Sequence, residues 1–428
     1  MSTNPTPAVS SPLYLGLDFG TSGARASLID AAEVEVFQSG VAFHDNIWQE
    51  WLTALQQLLT AIPAELCQHI NAIALCGTSG TSLLCDERGQ PLLPAILYND
   101  NRAHSQAARI ASDGIAASVT SSFAKLLWFL DRPESKNAHF FMHQADWLAF
   151  QLHGIPGISD YHNGLKLGYD VGMLAYPTRM NQAEYARLLP QVQEPGTTVG
   201  AITSFAAETY SLPHHCIVRA GTTDSIAAFF ASDASSPGQA VSSLGSTIAL
   251  KLLSRTRVES AEHGVYSHRC GNLWLTGGAS NCGGRVLKQL FGWERLRELS
   301  TIIHPEQPTG LDYYPLPAPG ERFPVNDPTL APRLTPRPDD DALYLQGLLE
   351  SLARIEAEGY RLLEQLGASP LREVFTAGGG AGNAAWTAIR AHQLGVPVST
   401  ATHTEAAYGA ARLAKSGEKL LYSTHVKR

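Results

Sequence analysis

No stretch of this chain reaches the roughly 18–20 consecutive apolar residues that a membrane-spanning helix needs. Charge is also scarce. Charged residues make up 16% of the chain, and no run of Lys and Arg breaks a formal net charge of −8, which argues against a nucleic-acid-binding face. The six cysteines are scattered without a Cys-x-x-Cys pair, pointing to reduced thiols and away from a disulfide or zinc framework. His214-His215-Cys216 invites a metal reading but lacks the partner spacing of a four-ligand site. Residues 1–12 are rich in Ser, Thr and Pro, with neither a basic start nor an apolar core, and read as a disordered tail, not a signal peptide. What remains is 44% hydrophobic over 428 residues, long enough for two domains because single cores stop growing at roughly 250–300 residues. A cytoplasmic enzyme or ATPase fits these bounds.

The informative part of the chain is a set of loops at strand ends. Tyr14, Leu15 and Leu17 read as a buried strand that runs into Asp18, then the turn Gly20-Thr21-Ser22-Gly23, then a second strand to Ile29. The glycines let the backbone turn and expose N–H donors, and the two hydroxyls add short ones, a cradle suited to phosphate. Asp18 stands where a hydrated divalent cation bridging phosphates could be held. A hairpin that satisfies its own backbone is the alternative. The apolar run Ile70–Cys76 opens into Gly77-Thr78-Ser79-Gly80-Thr81-Ser82, hydroxyls that suit a polyhydroxylated small molecule or form a plain connection. Asp100 and Arg102 follow another apolar stretch and read most simply as a surface ion pair. Asp224 falls at the start of an apolar helix, where the helix field favours its ionised form and where Asp commonly serves as a cap.

Ser232–Gln239 is small, polar and contains Pro and Gly, as a hinge between domains would. Beyond it, Leu244-Gly245-Ser246-Thr247 between two strands repeats the first pattern, so two hairpins in successive domains could grip one phosphate chain. Leu273–Thr276 reads as a strand and Gly277–Asn281 as a loop. Ile303–Asp341 reads as a long, proline-rich surface excursion. A helical stretch over Leu343–Leu366 follows, then a strand feeding Gly378-Gly379-Gly380 and Asn383 before the helix Ala384–Leu394. Three glycines in a row let a ligand press on bare backbone at a helix N-terminus. The last helix, Glu405–Ala414, is rich in small residues and suits close packing.

This order of features resembles the FGGY carbohydrate kinases, the sugar-kinase branch of the actin/hexokinase/heat-shock ATPase superfamily, from Leu13 onward. Asp18-Phe19-Gly20-Thr21-Ser22 with Arg25 is similar to the family's D-x-G-T-[ST] and its following basic residue. Tyr98–Arg102 resembles W-N-D-x-R with Tyr98 in place of Trp, Lys125–Trp128 resembles K-x-x-W, and Gly320-Glu321-Arg322 with Pro324 resembles G-E-R-x-P. Gly378–Asn383 resembles the adenosine-site glycines.

The resemblance implies an α/β fold of two RNase-H-like domains around a central cleft. The division would be 13–231 for sugar site and base, 232–403 for nucleotide, and 404–428 as a C-terminal helical segment able to pack back on the first domain. It implies ATP and Mg²⁺ as cofactors, Asp224 as catalytic base, and Asp18 as the Mg²⁺ holder that can also touch the sugar. Ser79, Asp100 and Asp224 would complete the sugar contacts. Gly20, Thr21, Ser22, Gly245, Ser246 and Thr247 would donate to phosphate. Gly379, Gly380 and Asn383 would line the adenosine site, with Trp386 as a flat wall. Xylulose kinases of the family carry Gln-Met-His-Gly where this chain has Thr78-Ser79-Gly80-Thr81, and compact members with the present loop resemble D-ribulose kinases of cyanobacteria and plants. The expected substrate is therefore a ketopentose, D-ribulose before D-xylulose or another polyol, with no nucleic-acid or membrane partner and a monomeric or homodimeric state. An actin- or chaperone-like nucleotide-gated ATPase without sugar transfer is the rival from another class.

Overall fold

Alternation along the first strand decides what the rest of the first unit packs against. In β1 (Leu13–Phe19), Leu13, Leu15, Leu17 and Phe19 enter one hydrophobic core, because successive side chains point to opposite faces of a strand. Tyr14 and Gly16 face the other way, and so does Asp18. On that face Gly16 lies directly on the backbone of helix Ala406–Ser416, where an added Cβ would sit 2.0 Å from Ala407 O. The computed structural model describes residues 11–112 and 118–422; residues 1–10 of the N-terminal tail and 423–428 of the C-terminal segment lie outside them.

The chain divides into two units. The first runs to Ala231 and takes in Glu405–Leu420; the second comprises Ser232–Thr404. In the first, β1 pairs antiparallel with β2 (Gly23–Ile29), which pairs antiparallel with β3 (Glu35–Ala42). On its other side β1 pairs parallel with β4 (Ile70–Gly77), which in turn carries Ile217–Arg219 and Thr222–Thr223 as parallel neighbours. Helices Trp48–Thr60, Gln144–His153 and Ser204–Tyr210 cover one face through Trp51, Leu55, Trp147, Leu152 and Ala206. Asp224–Ala231 and Ala406–Ser416 cover the other face. These two helices touch backbone to backbone, since a Cβ on Gly409 would lie 1.8 Å from Ala227 O. Arg412 Nη1 adds a 2.6 Å bond to Phe230 O. Small residues thus let helix Ala406–Ser416 seat the Asp224 helix against the sheet.

The second unit repeats this plan. Its six strands run Tyr266–Cys270, Leu273–Ser280, Ile248–Ser254, Gln239–Leu244, Glu373–Ala377, Val398–Thr400, the first four antiparallel to one another and the fourth, fifth and sixth joined in parallel. Each unit is therefore an RNase-H-like sheet: an antiparallel ribbon whose first strand continues into parallel pairing. Helices Gly284–Ser300, Asp341–Gln365 and Ala384–Leu394 pack on it. Under the sheet a buried Arg390 pairs both carboxylate oxygens of Glu356 at 2.6 and 2.7 Å and donates to Thr376 Oγ1 at 2.7 Å.

Two sequence expectations need correction here. Gly277–Ser280 is not loop but the end of a strand. The glycines are there because neighbours leave no room: a Cβ would lie 2.0 Å from Leu250 O at Gly277 and 2.4 Å from the Phe323 ring at Gly278. The segment 303–341 is irregular but is not a surface excursion throughout, since Tyr313, Leu316 and Phe323 are buried in the unit's core. Glu321 anchors it further, accepting from Ser280 Oγ at 2.6 Å and Asn281 N at 2.7 Å.

Candidate active site

Register brings three of the sequence-picked features of the first unit to one edge. Asp18 on β1 is level with Cys76 on β4, which is level with Thr222; Phe19, Gly77 and Thr223 form the next row. All three strands are parallel, so the Gly20–Gly23 turn, the Thr78–Thr81 loop and Asp224 leave the sheet at its carboxyl edge, where open α/β sheets bind ligands. Asp18 is 7% exposed and accepts a 3.4 Å bond from Cys76 Sγ. Burial, and then the carboxylate of Asp224, push the Asp18 pKa up to about 7. Asp224 is the first residue of its helix and half-buried, with Oδ1 accepting from Ser225 N at 2.6 Å.

The turn after β1 closes with Gly20 N donating to Gly23 O at 3.0 Å. Thr21 and Ser22 are exposed, and their carbonyls are held from behind by Asn46 Nδ2 and Phe43 N. The hydroxyls of the next loop divide their work. Thr78 Oγ1 and Thr81 Oγ1 lie 2.6 Å apart, Thr81 Oγ1 accepts from Tyr98 N, and Ser82 Oγ donates to Gly80 O. These three brace the loop, while Ser79 is half-buried. Asp100 is tied locally to Arg102, whose Nη2 is 2.6 Å and Nε 2.9 Å from its oxygens. Those bonds hold its pKa below the usual carboxylate range. The Arg102 guanidinium and that of Arg132 lie 5.2 and 4.0 Å from the Trp128 ring centroid.

Three supports were missed from sequence. Gln144 Oε1 accepts from both Thr78 N and Thr78 Oγ1 at 2.9 Å. Lys125 Nζ donates to Gly80 O at 2.6 Å and Leu97 O at 2.8 Å, joining the Thr78 loop to the Tyr98–Arg102 segment. Its pKa falls to about 7 through burial and the nearby Lys166. Lys166 Nζ donates to Ser79 O at 3.0 Å; burial lowers its pKa while Asp224 pulls it up. Lys125 carried a signal in its place in the K-x-x-W match, and Lys166 in the polar, aromatic stretch Lys166–Asp170, which reads as wall material for a cleft. Gln144 and Lys166 are distant in sequence from what they hold.

In the second unit the Gly245–Thr247 turn closes as the first does, with Gly245 N donating to Thr247 O at 3.0 Å. Gly245 and Ser246 are exposed. Gly284 N, opening its helix, donates to Gly245 O at 2.8 Å. The glycine loop lies against the same corner: a Cβ on Gly378 would meet Leu244 O at 2.8 Å, and one on Gly380 would meet Leu244 Cβ at 2.7 Å, whereas Gly379 is open. Asn383 caps its helix, accepting from Trp386 N at 3.0 Å, and donates to Ser300 Oγ at 2.9 Å. Trp386 stands directly behind this loop. It is 3% exposed and packs with the core, with its ring against Gly380.

Among the described residues no three His, Cys, Asp or Glu side chains group as metal ligands, the His214 cluster included. A divalent cation of the Mg²⁺ type nevertheless fits the first unit's edge. Mg²⁺ takes one or two carboxylates and keeps its waters, and Asp18 beside Asp224 is a carboxylate pair whose mutual repulsion a cation relieves.

Residues 13–231 match the model of the FGGY family of carbohydrate kinases, N-terminal domain, and 240–417 match that of its C-terminal domain. This chain belongs to the FGGY family of carbohydrate kinases. A xylulose kinase from Streptomyces coelicolor is 28% identical over 271 residues, covering 56% of this chain and 54% of that protein; the match spans about half of that relative's length. L-fuculokinase from Escherichia coli is 24% identical, covering 94% of this chain and 91% of that protein. The crystal structure of a xyloylose kinase from Brucella ovis superposes with a TM-score of 0.83 at 25% identity, over 95% of this chain and 90% of that one.

Proposed function

We propose that this chain is an ATP-dependent kinase that transfers the γ-phosphoryl group to a hydroxyl of a small keto-sugar. The observation that supports it most is the carboxyl edge of the first unit, where Asp18, the Thr78–Thr81 loop and Asp224 end adjacent parallel strands. In this reading the sugar hydroxyl oxygen forms a bond to the γ-phosphorus, the bond from that phosphorus to the bridging oxygen breaks, and ADP leaves. Asp224 takes the hydroxyl proton. A free hydroxyl is too weak an acid to ionise beforehand, so the base acts mainly by position.

Gly20, Thr21 and Ser22 offer donors to phosphate oxygens, as do Gly245, Ser246 and Thr247, and such donors stabilise the charge that spreads in transfer. Gly379, Gly380 and Asn383 belong to the adenosine site. Asp18 would hold Mg²⁺, which would supply neutralisation of phosphate charge.

The sugar is a ketopentose, and the loop favours D-ribulose. With Thr78 and Thr81 braced internally, Ser79 is the small hydroxyl offered to substrate, joined by Asp100, both of whose oxygens Arg102 holds. The names of the xylulose kinase relatives support D-xylulose as the second reading. ADP release measured by coupled assay, with and without a panel of pentuloses, tests both. Release that depends on D-ribulose supports the reading, preference for D-xylulose transfers it to the second, and release indifferent to every sugar points to a nucleotide-gated ATPase.

A further inference from the structure

Asn46, between β3 and helix Trp48–Thr60, holds the turn after β1 by a contact 25 residues away in the chain: its Nδ2 donates to Thr21 O at 2.9 Å. Its Oδ1 accepts from Trp51 Nε1 at 2.7 Å, and Trp51 is fully buried in the core of the first unit. An indole nitrogen only donates and a backbone carbonyl only accepts, so these two neighbours fix which end of the amide faces which. Asn46 has a φ of 52°, in the left-handed region that Asn tolerates better than most side chains. Glu50, in the first turn of the helix, clamps the segment by accepting from His44 N, Asp45 N and Asn46 N at 2.8, 3.1 and 2.8 Å. The position thus demands a left-handed backbone, an acceptor for the indole and a donor for the turn. Asp lacks the donor, Gly lacks both groups and Gln is a methylene too long; Asn meets every demand.

The bond to Thr21 O matters because a trans peptide carries its C=O and N–H in opposite directions within one plane. Drawing Thr21 O back onto Asn46 turns Ser22 N–H to the other side of the turn, and Ser22 is exposed. Phe43 N, bonded to Ser22 O at 2.9 Å, holds the next plane. We propose that Asn46 is a positioning residue of the phosphate site, aiming Ser22 N–H at a phosphate oxygen of ATP by fixing the plane of the Thr21–Ser22 peptide. The inference rests on the kinase reading for the presence of the phosphate chain, and it adds the residue that orients the turn. A donor aimed before the ligand arrives needs no reorganisation when charge spreads over the phosphoryl oxygens. Asn46 acts through the turn, and Trp51 ties it to the core.

The test is calorimetric titration of the full-length wild type, Asn46→Gly and Asn46→Asp with ATP and with adenosine, paired with melting temperatures and steady-state kinetics. Gly adopts the left-handed φ readily, so Asn46→Gly keeps the backbone of the segment while removing the amide. Asn46→Asp keeps the bond to Trp51 but sets a carboxylate oxygen against Thr21 O, which repels it. Asn46→Gly should weaken ATP by about tenfold, the lower end of what a hydrogen bond to a charged group is worth, and lower kcat as well. Asn46→Asp should weaken ATP further. Affinity for adenosine and KM for the sugar should stay at wild-type values in both variants, because the turn addresses phosphate alone. Wild-type ATP affinity and kcat in both variants overturn this inference and leave the kinase reading standing. An equal loss for ATP and adenosine does the same, since it marks a general loosening of the fold. A wild type that binds no ATP overturns both.

Discussion

Replacing Gly409 by Ala is a sharp test of how the Asp224 helix is placed. In a helix interior that change should stabilise, by about 1 kcal/mol, and Gly409 has ordinary helical backbone within Ala406–Ser416. Packing opposes it. The new methyl would lie 1.8 Å from Ala227 O, 2.7 Å from Ala227 C and 2.9 Å from Ala231 N. All three are backbone atoms, so no side chain can rotate away. Ordinary C···O contacts begin near 3.3 Å, so the helices must separate by roughly 1.5 Å. Overpacking of this kind costs about 1–3 kcal/mol, enough to outweigh the propensity gain. A shift of that size is transmitted to Asp224, and a misplacement of about 1 Å can cost roughly a hundredfold in rate. Urea denaturation of the apo protein, with kcat for the accepted pentulose, reads both effects. A Gly409→Ala protein that is more stable than wild type and turns over at full rate would refute the packing argument.

Three further outcomes follow from single contacts. Lys125, fully buried with carbonyl partners, has a folded pKa of about 7 against an ordinary 10.5. Between those values the unfolded chain binds more protons, so this group's contribution to stability rises with pH and is flat below pH 7. Denaturation at about pH 7 and about pH 9.5 should show wild type gaining on Lys125→Met by a few kcal/mol, and equal pH dependence would count against the buried cation. Arg390→Met strands the carboxylate of Glu356 in the core of the second unit, at a cost of about 3–5 kcal/mol; adding Glu356→Leu should recover most of it, as melting temperatures would show. Ser79→Ala should raise KM for the sugar about fivefold, the worth of one net hydrogen bond, while KM for ATP holds.

Much of the fold could be read from residues alone because its signals are local. A turn of glycine and hydroxyls between two apolar runs marks the Gly20–Gly23 hairpin and the Gly245–Thr247 hairpin alike, and an apolar helix opening on Asp224 needs no distant partner to be recognised. What escaped depends on contacts far apart in the chain. Gly277 and Gly278 look like loop residues until Leu250 and Phe323 are known to lie against them. Trp386 looks like an open wall beside the glycine loop until its burial in the core is known. The bond from Gln144 to Thr78 spans 66 residues, and nothing in either segment announces it.

The claim on which the account depends is that Asp224 removes a proton from a sugar hydroxyl. Its direct measurement is transfer of labelled γ-phosphoryl from ATP to the pentulose by wild type and Asp224→Asn, with nucleotide binding followed in the same samples. The account predicts that Asp224→Asn binds ATP as wild type does and forms at most a trace of labelled sugar phosphate, because the substituted amide has the shape of the acid but cannot accept the proton. Labelled product formed by Asp224→Asn at the wild-type rate would contradict it.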